Sequence, residues 1–366
     1  MKKNELNVAT IGCGRISEKH LASYQAEDVC GHLVAVCDMD AGKAAEKGEK
    51  YGVPWYTDYH EMIKAQPEIE VLDVMTPSGM HAKHVLDLAP YGKHIITEKP
   101  MALRVEDCDA MIKACEKHGC RLFVVKQNRY NRAVVAARNA LDENRFGRMV
   151  MGTIRVRWRR DQAYYNQAAW RGTWELDGGV MSQQATHHLD LLQWFMGPIE
   201  SLQCQTATRL MDIEVEDTAV AILKFKSGAL GAFEATVATR PEDLEGSMSL
   251  LGENGSVIIG GPAVNRVDYW KFTEPREEDL EIQRMFSQEV SNVYGHGHLP
   301  YLREAMSALL ENRPGPVEGA SGLTNINILT ALYESAARGG EPVTLETPVT
   351  KARIGKKTVP GSARQE

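Results

Sequence analysis

The chain has 366 residues, room for two or three domains, and 43% of them are apolar, enough for cores that need no covalent staples. Lys and Arg number 42 against 49 Asp and Glu; the net charge of −7 argues against a dedicated nucleic-acid binder. No stretch approaches the roughly 18 consecutive apolar residues of a membrane span, and the seven scattered cysteines, with no CxxC pair, read as reduced thiols.

Met1-Lys2-Lys3-Asn4-Glu5 shows no signal-peptide pattern and leads into a strand over 6–11, so a cytoplasmic protein is expected. Alternating segments follow: helix 17–24, strand 33–37, helices 41–50 and 59–64, strand 71–75, helix 81–88, strand 94–97, helix 105–117 and strand 122–125. Near-continuous apolar strands separated by helices predict an α/β fold, with a doubly wound parallel Rossmann sheet forming a dinucleotide-binding domain over 1–126. From about 148 the rhythm changes to longer alternating strands over 149–158, 202–210, 219–225, 228–238 and 248–259, with a hairpin bend at Lys226-Ser227-Gly228. A helix over 180–195 interrupts them, and helices over 299–311 and 322–338 close the chain. The prediction is an α+β domain over 127–347 with a mostly antiparallel sheet, for substrate binding and oligomerisation, and a terminal arm or strap over 348–366. A one-layer sheet with a bare apolar face must be covered, which predicts a homo-oligomer, a dimer or tetramer.

The first strand ends in Gly12-Cys13-Gly14-Arg15-Ile16-Ser17 and runs into a helix. The two glycines permit a tight turn and let backbone N–H groups approach a pyrophosphate at the helix N-terminus; Ser17 is the small residue in the third position. Asp38 closes the second strand, where a carboxylate accepts from both ribose hydroxyls and repels a 2′-phosphate, so NAD is favoured over NADP. Thr76-Pro77-Ser78-Gly79-Met80-His81 and Glu98-Lys99-Pro100 follow two further strands, on the edge where open α/β sheets bind ligands. Pro100 holds Lys99 extended, placing the ammonium over that crevice, and the Lys99–Pro100 bond is a candidate cis bond.

In the predicted helix over 180–195, Gln183 and His187 stand at i and i+4 and share a face. An imidazole moves a proton near neutral pH, as an alcohol oxidation requires. The neighbouring His188 reads as a core histidine, and adjacent histidines with no Cys or Glu at ligand spacing disfavour a zinc site; no metal is expected. Arg155, Arg157, Trp158, Arg159, Arg160, Tyr164, Tyr165, Trp170, Arg171 and Trp174 form a cationic, aromatic run. Parity along a strand keeps these arginines from all facing one site. Arg beside aromatics suits a nucleotide or carboxylate ligand; solvated arginines on an oligomer surface are the other reading.

Gly12-Cys13-Gly14, Thr76-Pro77, Glu98-Lys99-Pro100, Arg129-Tyr130-Asn131 and the Gly179…His187…Asp190 segment together resemble the glucose–fructose oxidoreductase / inositol dehydrogenase (Gfo/Idh/MocA) family over essentially the whole chain. The resemblance implies a Rossmann domain followed by an open-faced sheet, with Lys99 and His187 catalytic. It implies NAD contacts from Gly12, Gly14, Arg15, Ile16, Asp38, Thr76, Pro77, His81, Glu98, Lys99, Gln127 and Trp170. Substrate contacts are implied at Lys99, Asn128, Arg160, Tyr165, Arg171, Gln183 and His187. Many members carry Asp where this chain has Gln183, so a Lys99–His187 pair must suffice for proton removal. Within the family, Tyr164-Tyr165, Trp170-Arg171-Gly172-Thr173-Trp174, Gln183-Gln184 and His187-His188 resemble the UDP-N-acetylglucosaminuronate 3-dehydrogenases of surface-polysaccharide pathways. A small-molecule nucleotide sugar is then the expected partner, with no nucleic acid and no membrane. Two other readings stay open: a cyclitol or free-sugar dehydrogenase, which would not need the arginine–aromatic run, and a non-catalytic dinucleotide-binding regulator, which would need neither Lys99 nor His187.

Overall fold

The computed structural model describes residues 5–290, 292–346 and 348–357. Internal contacts group Met1–Ala102, Glu106–Val125 and His298–Thr324 into one unit, and Leu103–Val105, Lys126–Gly297 and Asn325–Glu366 into another.

The first unit holds six parallel strands: β1 Leu6–Ile11, β2 Gly31–Cys37, β3 Trp55–Tyr56, β4 Val71–Val74, β5 His94–Thr97 and β6 Leu122–Val124. Their order, β3-β2-β1-β4-β5-β6, is that of a doubly wound dinucleotide-binding sheet and reverses between β1 and β4. Val8, Ala9, Val71, Leu72, Ile95 and Ile96 are wholly buried, as strands covered on both faces require. The helix Ala41–Tyr51 starts where Asp40 accepts the Gly42 and Lys43 N–H groups and stops at Gly52 in the left-handed region. The edge strand β3 escapes a sequence reading because two residues carry no alternation. The helix His298–Leu310 belongs to this unit too, although chain order assigns it to the second domain. Its buried Tyr301 donates to the Val124 carbonyl at 2.8 Å, and Met306 packs against Gly31.

The second unit is built on one sheet of β7 Met149–Arg157, β8 Ile199–Ala207, β9 Thr218–Phe225, β10 Leu230–Thr236, β11 Glu245–Gly252, β12 Gly255–Gly260, β13 Arg266–Phe272 and β14 Val343–Thr344. Its order is β13-β12-β11-β7-β10-β9-β8-β14, antiparallel throughout except for the parallel pair β7–β10. One face carries Ile154, Val156, Ala221, Phe233 and Met248 and is buried. The helix Thr186–Met196 lies so close that a Cβ at Gly152 would stand 2.7 Å from Met196. On the other face Leu230, Met151 and Leu251 pair side by side and are exposed, next to exposed Ile222 and Val220.

Several expected elements are redrawn. The single strand over 248–259 is a hairpin that turns at Glu253 and Asn254, and the dipeptide Asn254-Gly255 was its local signal. The strand expected over 202–210 sits at 199–207, because Asp217 Oδ2 collects the N–H groups of Arg209, Leu210 and Met211 and withdraws them from the ladder. The helix over 180–195 is broken into Val180–Gln183 and Thr186–Met196: the Val180 carbonyl accepts from both Gln184 and Ala185, widening one turn. Gln183 and His187 therefore do not share one regular helix. Of the predicted terminal arm, 358–366 lies outside the described residues, whereas the part before it is packed, with Ala352 and Ile354 buried and the Gly355 N–H bonded to the Trp174 carbonyl.

Candidate active site

In the first unit, Gly12 takes φ +103, and a Cβ there would stand 2.7 Å from the Met75 carbonyl oxygen, so the turn admits only glycine. At Gly14 a Cβ would meet nothing within 4 Å; the backbone there lies open to a ligand. Ser17 is buried and donates to the Gly14 carbonyl at 2.7 Å, which fits it for the tight third position. No side chain among the described residues caps the helix Ser17–Ser23 at Ile16; the Ser17 and Lys19 N–H groups donate to the Gly14 and Ile16 carbonyls at 3.1 and 3.0 Å. Arg15 is exposed beside them.

Asp38 Oδ2 accepts the Cys13 N–H at 2.7 Å and Oδ1 accepts the Asp40 N–H at 2.9 Å, so the carboxylate is aimed by its own backbone. Lone pairs remain for a ribose. The glycine turn, the open Gly14 and this carboxylate together fit NAD. Asp38→Ala should raise the Michaelis constant for NAD and narrow the gap to NADP in steady-state assays. A wild type that prefers NADP contradicts this account of the loop.

Thr76 and Pro77 follow β4, and His81 clasps both neighbouring loops: its ring nitrogens lie 2.9 Å from the Thr76 carbonyl and 2.8 Å from that of Pro100. Two carbonyls thus occupy the ring nitrogens of a residue expected at the cofactor. The Lys99–Pro100 bond is cis. Behind it lies a buried group that sequence patterns do not show. His20 Nδ1 is 2.7 Å from Asp73 Oδ2, His20 Nε2 is 3.0 Å from Glu98 Oε1, and Tyr24 donates to Asp73.

In the second unit, His187 opens the helix Thr186–Met196 and is 6% exposed. His188 is wholly buried, edge-on to Trp158; burial alone drives its pKa down to about 3, as a core histidine's should be. Gln127 and Asn128 are buried in the turn after β6. Gln183 donates its amide to Asp177 Oδ1, while Asp177 Oδ2 accepts the Gly172 N–H at 2.6 Å. This carboxylate therefore ties the Trp170–Trp174 loop to Gln183. It was missed because nothing in the local pattern marks a loop aspartate as buried.

The arginine run divides as parity requires. Arg155 and Arg157 sit on the outer face of the sheet, where Arg157 forks onto Glu234 and reaches Glu245 at 3.0 Å. Arg160 and Arg171 form a separate stack. The Arg160 guanidinium lies 5.6 Å from the Trp158 ring and 5.4 Å from that of Tyr164; Arg171 lies 4.2 Å from Tyr164 and 4.9 Å from Trp170. Tyr165 is buried behind this stack and meets Tyr164 edge-on at 5.1 Å. Arg171 Nε has no partner among the described residues, and Arg160 Nη1 reaches Asp243 at 3.2 Å.

Residues 6–126 match the model of an oxidoreductase family with an NAD-binding Rossmann fold, and residues 134–258 match the GFO/IDH/MocA C-terminal domain. The chain belongs to the GFO/IDH/MocA family and is an NAD-dependent oxidoreductase. Among solved structures it is similar to the WlbA dehydrogenase from Bordetella pertussis in complex with NADH and UDP-GlcNAcA: 40% identity, TM-score 0.89, covering 95% of this chain and 99% of that one. The WlbA dehydrogenase from Chromobacterium violaceum, in complex with the same two ligands, gives 39%, 0.87, 94% and 97%. Among curated relatives, levoglucosan dehydrogenase from Pseudarthrobacter phenanthrenivorans is 25% identical over 69% of this chain and 73% of its own. Myo-inositol 2-dehydrogenase from Thermotoga maritima is 29% identical over 63% and 68%. No helix among the described residues is long and apolar enough to cross a membrane.

Proposed function

We propose that this protein oxidises the 3-hydroxyl of UDP-N-acetylglucosaminuronate, giving a 3-keto sugar for surface-polysaccharide synthesis in the cytoplasm. The observation that carries this reading is the likeness, over nearly the whole chain, to two dehydrogenases whose structures hold NADH and UDP-GlcNAcA. The Arg160–Tyr164–Arg171–Trp170 stack supports it, because paired guanidinium groups among aromatic rings suit an anionic nucleotide sugar.

His187 is the base that takes the hydroxyl proton, and the Lys99 ammonium stabilises the developing alkoxide. NAD, when bound, accepts the hydride. Gly12, Gly14, Arg15, Ile16, Asp38, Thr76, Pro77, Glu98, Gln127 and Trp170 would hold it. Asn128, Arg160, Tyr165, Arg171 and Gln183 would line the sugar, with Arg160 and Tyr165 at the carboxylate.

UDP-N-acetylglucosamine lacks the carboxylate and should be turned over much more slowly than its uronate, since it forfeits a charge-assisted pairing with the half-buried Arg160 guanidinium. Arg160→Ala should erase most of that preference in a panel of UDP-sugars, uronates and inositols followed by NADH formation. Equal turnover of the two UDP-sugars removes the uronate assignment. Preference for inositol or levoglucosan would favour the neutral-substrate reading that the curated relatives suggest. The exposed Leu230, Met151 and Leu251 row supports a homo-oligomer, a dimer or tetramer, joined through the outer face of the second-unit sheet. Light scattering should find no stable monomer at working concentration.

A further inference from the structure

The His20–Asp73–Glu98 group lies in the first unit, and none of its members has a role in the proposed chemistry beyond the expected NAD contact of Glu98. All three side chains are buried, on the helix Ser17–Ser23, after β1, on β4, and just past the end of β5. His20 stands between two carboxylates, Asp73 Oδ2 at 2.7 Å and Glu98 Oε1 at 3.0 Å. Only an imidazolium donates to both at once. Burial opposes that charge, but the Asp73 and Glu98 carboxylates outweigh it and push the His20 pKa up to about 10. His298 approaches the same Glu98 oxygen at 3.6 Å. The other Glu98 oxygen accepts the backbone N–H of Lys99 at 2.9 Å.

We propose that His20 is a positioning residue for the dehydrogenation: doubly anchored between Asp73 and Glu98, it fixes the Glu98 carboxylate, which in turn holds the backbone of Lys99. The proposal rests on the reading of Lys99 as catalytic. Its logic is steric. Glu98 and Lys99 lie past the end of a four-residue strand, where the ladder no longer dictates the backbone. A misplacement of about 1 Å at a reacting group costs on the order of 10² in rate.

His20→Gln keeps a polar side chain but removes the cation, and its two N–H donors share one nitrogen where the imidazolium carries them on the separate Nδ1 and Nε2. The turnover number should fall about 10- to 100-fold per active site, counted by NAD-binding stoichiometry, with the Michaelis constants for NAD and sugar within about threefold of wild type. Tyr24→Phe is the conservative control. It removes a hydroxyl donor from Asp73 and leaves both His20 contacts in place, so turnover should stay within about threefold of wild type. A purely structural role would lower melting temperature and the fraction of active protein while leaving turnover per site unchanged; folded His20→Gln with full turnover overturns the proposal. If that variant does not fold, hydrogen–deuterium exchange on the wild type decides. The Lys99 amide should exchange at least about 10²-fold more slowly than an open one, and free exchange overturns the proposal. Stoichiometric metal in the purified enzyme does so too, because an ion among His20, Glu98 and His298, whose ligand atoms lie within 4.8 Å of one another, would replace the bridging proton. Full activity in Lys99→Met removes the catalytic reading itself, a different result from failure at His20 alone.

Discussion

Lys99→Met and His187→Asn should each lower turnover by about 10²–10⁴, the usual loss when one positioned proton-transfer or charge-stabilising group is removed. Lys99 lies just beyond β5, before a cis proline, and His187 is nearly buried in the first turn of its helix. Lys99 is only half-buried and Asn keeps a polar group at the buried His187, so melting temperature should move far less than turnover. His188→Asn gives the contrast. That ring lies in the core against Trp158 and is neutral over the working pH range, so its loss should lower stability more than turnover per folded site. Comparable kinetic losses at His188 would move the base to the other histidine. Steady-state kinetics on folded, NAD-saturated variants separates the two results.

A second large effect is expected in stability, at Glu216. This carboxyl is buried at the start of the helix Val180–Gln183: its Oε1 accepts the Met181 N–H and the Tyr333 hydroxyl, each at 3.0 Å, and its own carbonyl accepts the Val180 N–H at 3.1 Å. Oε2 has no partner among the described residues, and a Cβ at Gly179 would stand 2.0 Å from it. Burial outweighs the hydrogen bonds and raises the pKa from 4.5 to about 7. A group raised in the fold binds its proton more tightly there than in the unfolded chain. Its contribution is therefore fully present below about pH 4.5 and is lost as pH rises through about 7. The difference is on the order of 3 kcal/mol. Glu216→Gln cannot titrate, so between those limits wild type should lose that much relative to the variant in denaturant unfolding. Parallel pH curves for the two proteins would contradict it.

Much of the chemistry is written locally. The apolar runs that became β1, β4 and β5 and the capped helix between Asp40 and Gly52 are set by neighbours in the chain, and both appear as the residues predict. The glycine turn and Asp38 belong to the same class, since φ +103 at Gly12 and a carboxylate at a strand end depend on a few adjacent residues. The arginine run was legible as chemistry but not as geometry. Alternation on β7 separates Arg157 from Arg160, while the partners that neutralise Arg157, Glu234 and Glu245, come from strands far along the sequence.

What the sequence by itself determined was the fold class and the glycine turn after the first strand, because short-range sterics and hydrophobic periodicity suffice for each. Only the tertiary structure decided where buried polar groups find their partners. His20 meets residues 53 and 78 positions away, and Glu216 meets Met181 at 35. Val180 accepts two N–H groups and widens a turn that local pattern reads as regular helix. A polar side chain enters a core only when a specific partner offsets its desolvation, and that partner is chosen by packing among distant elements, which no local pattern records.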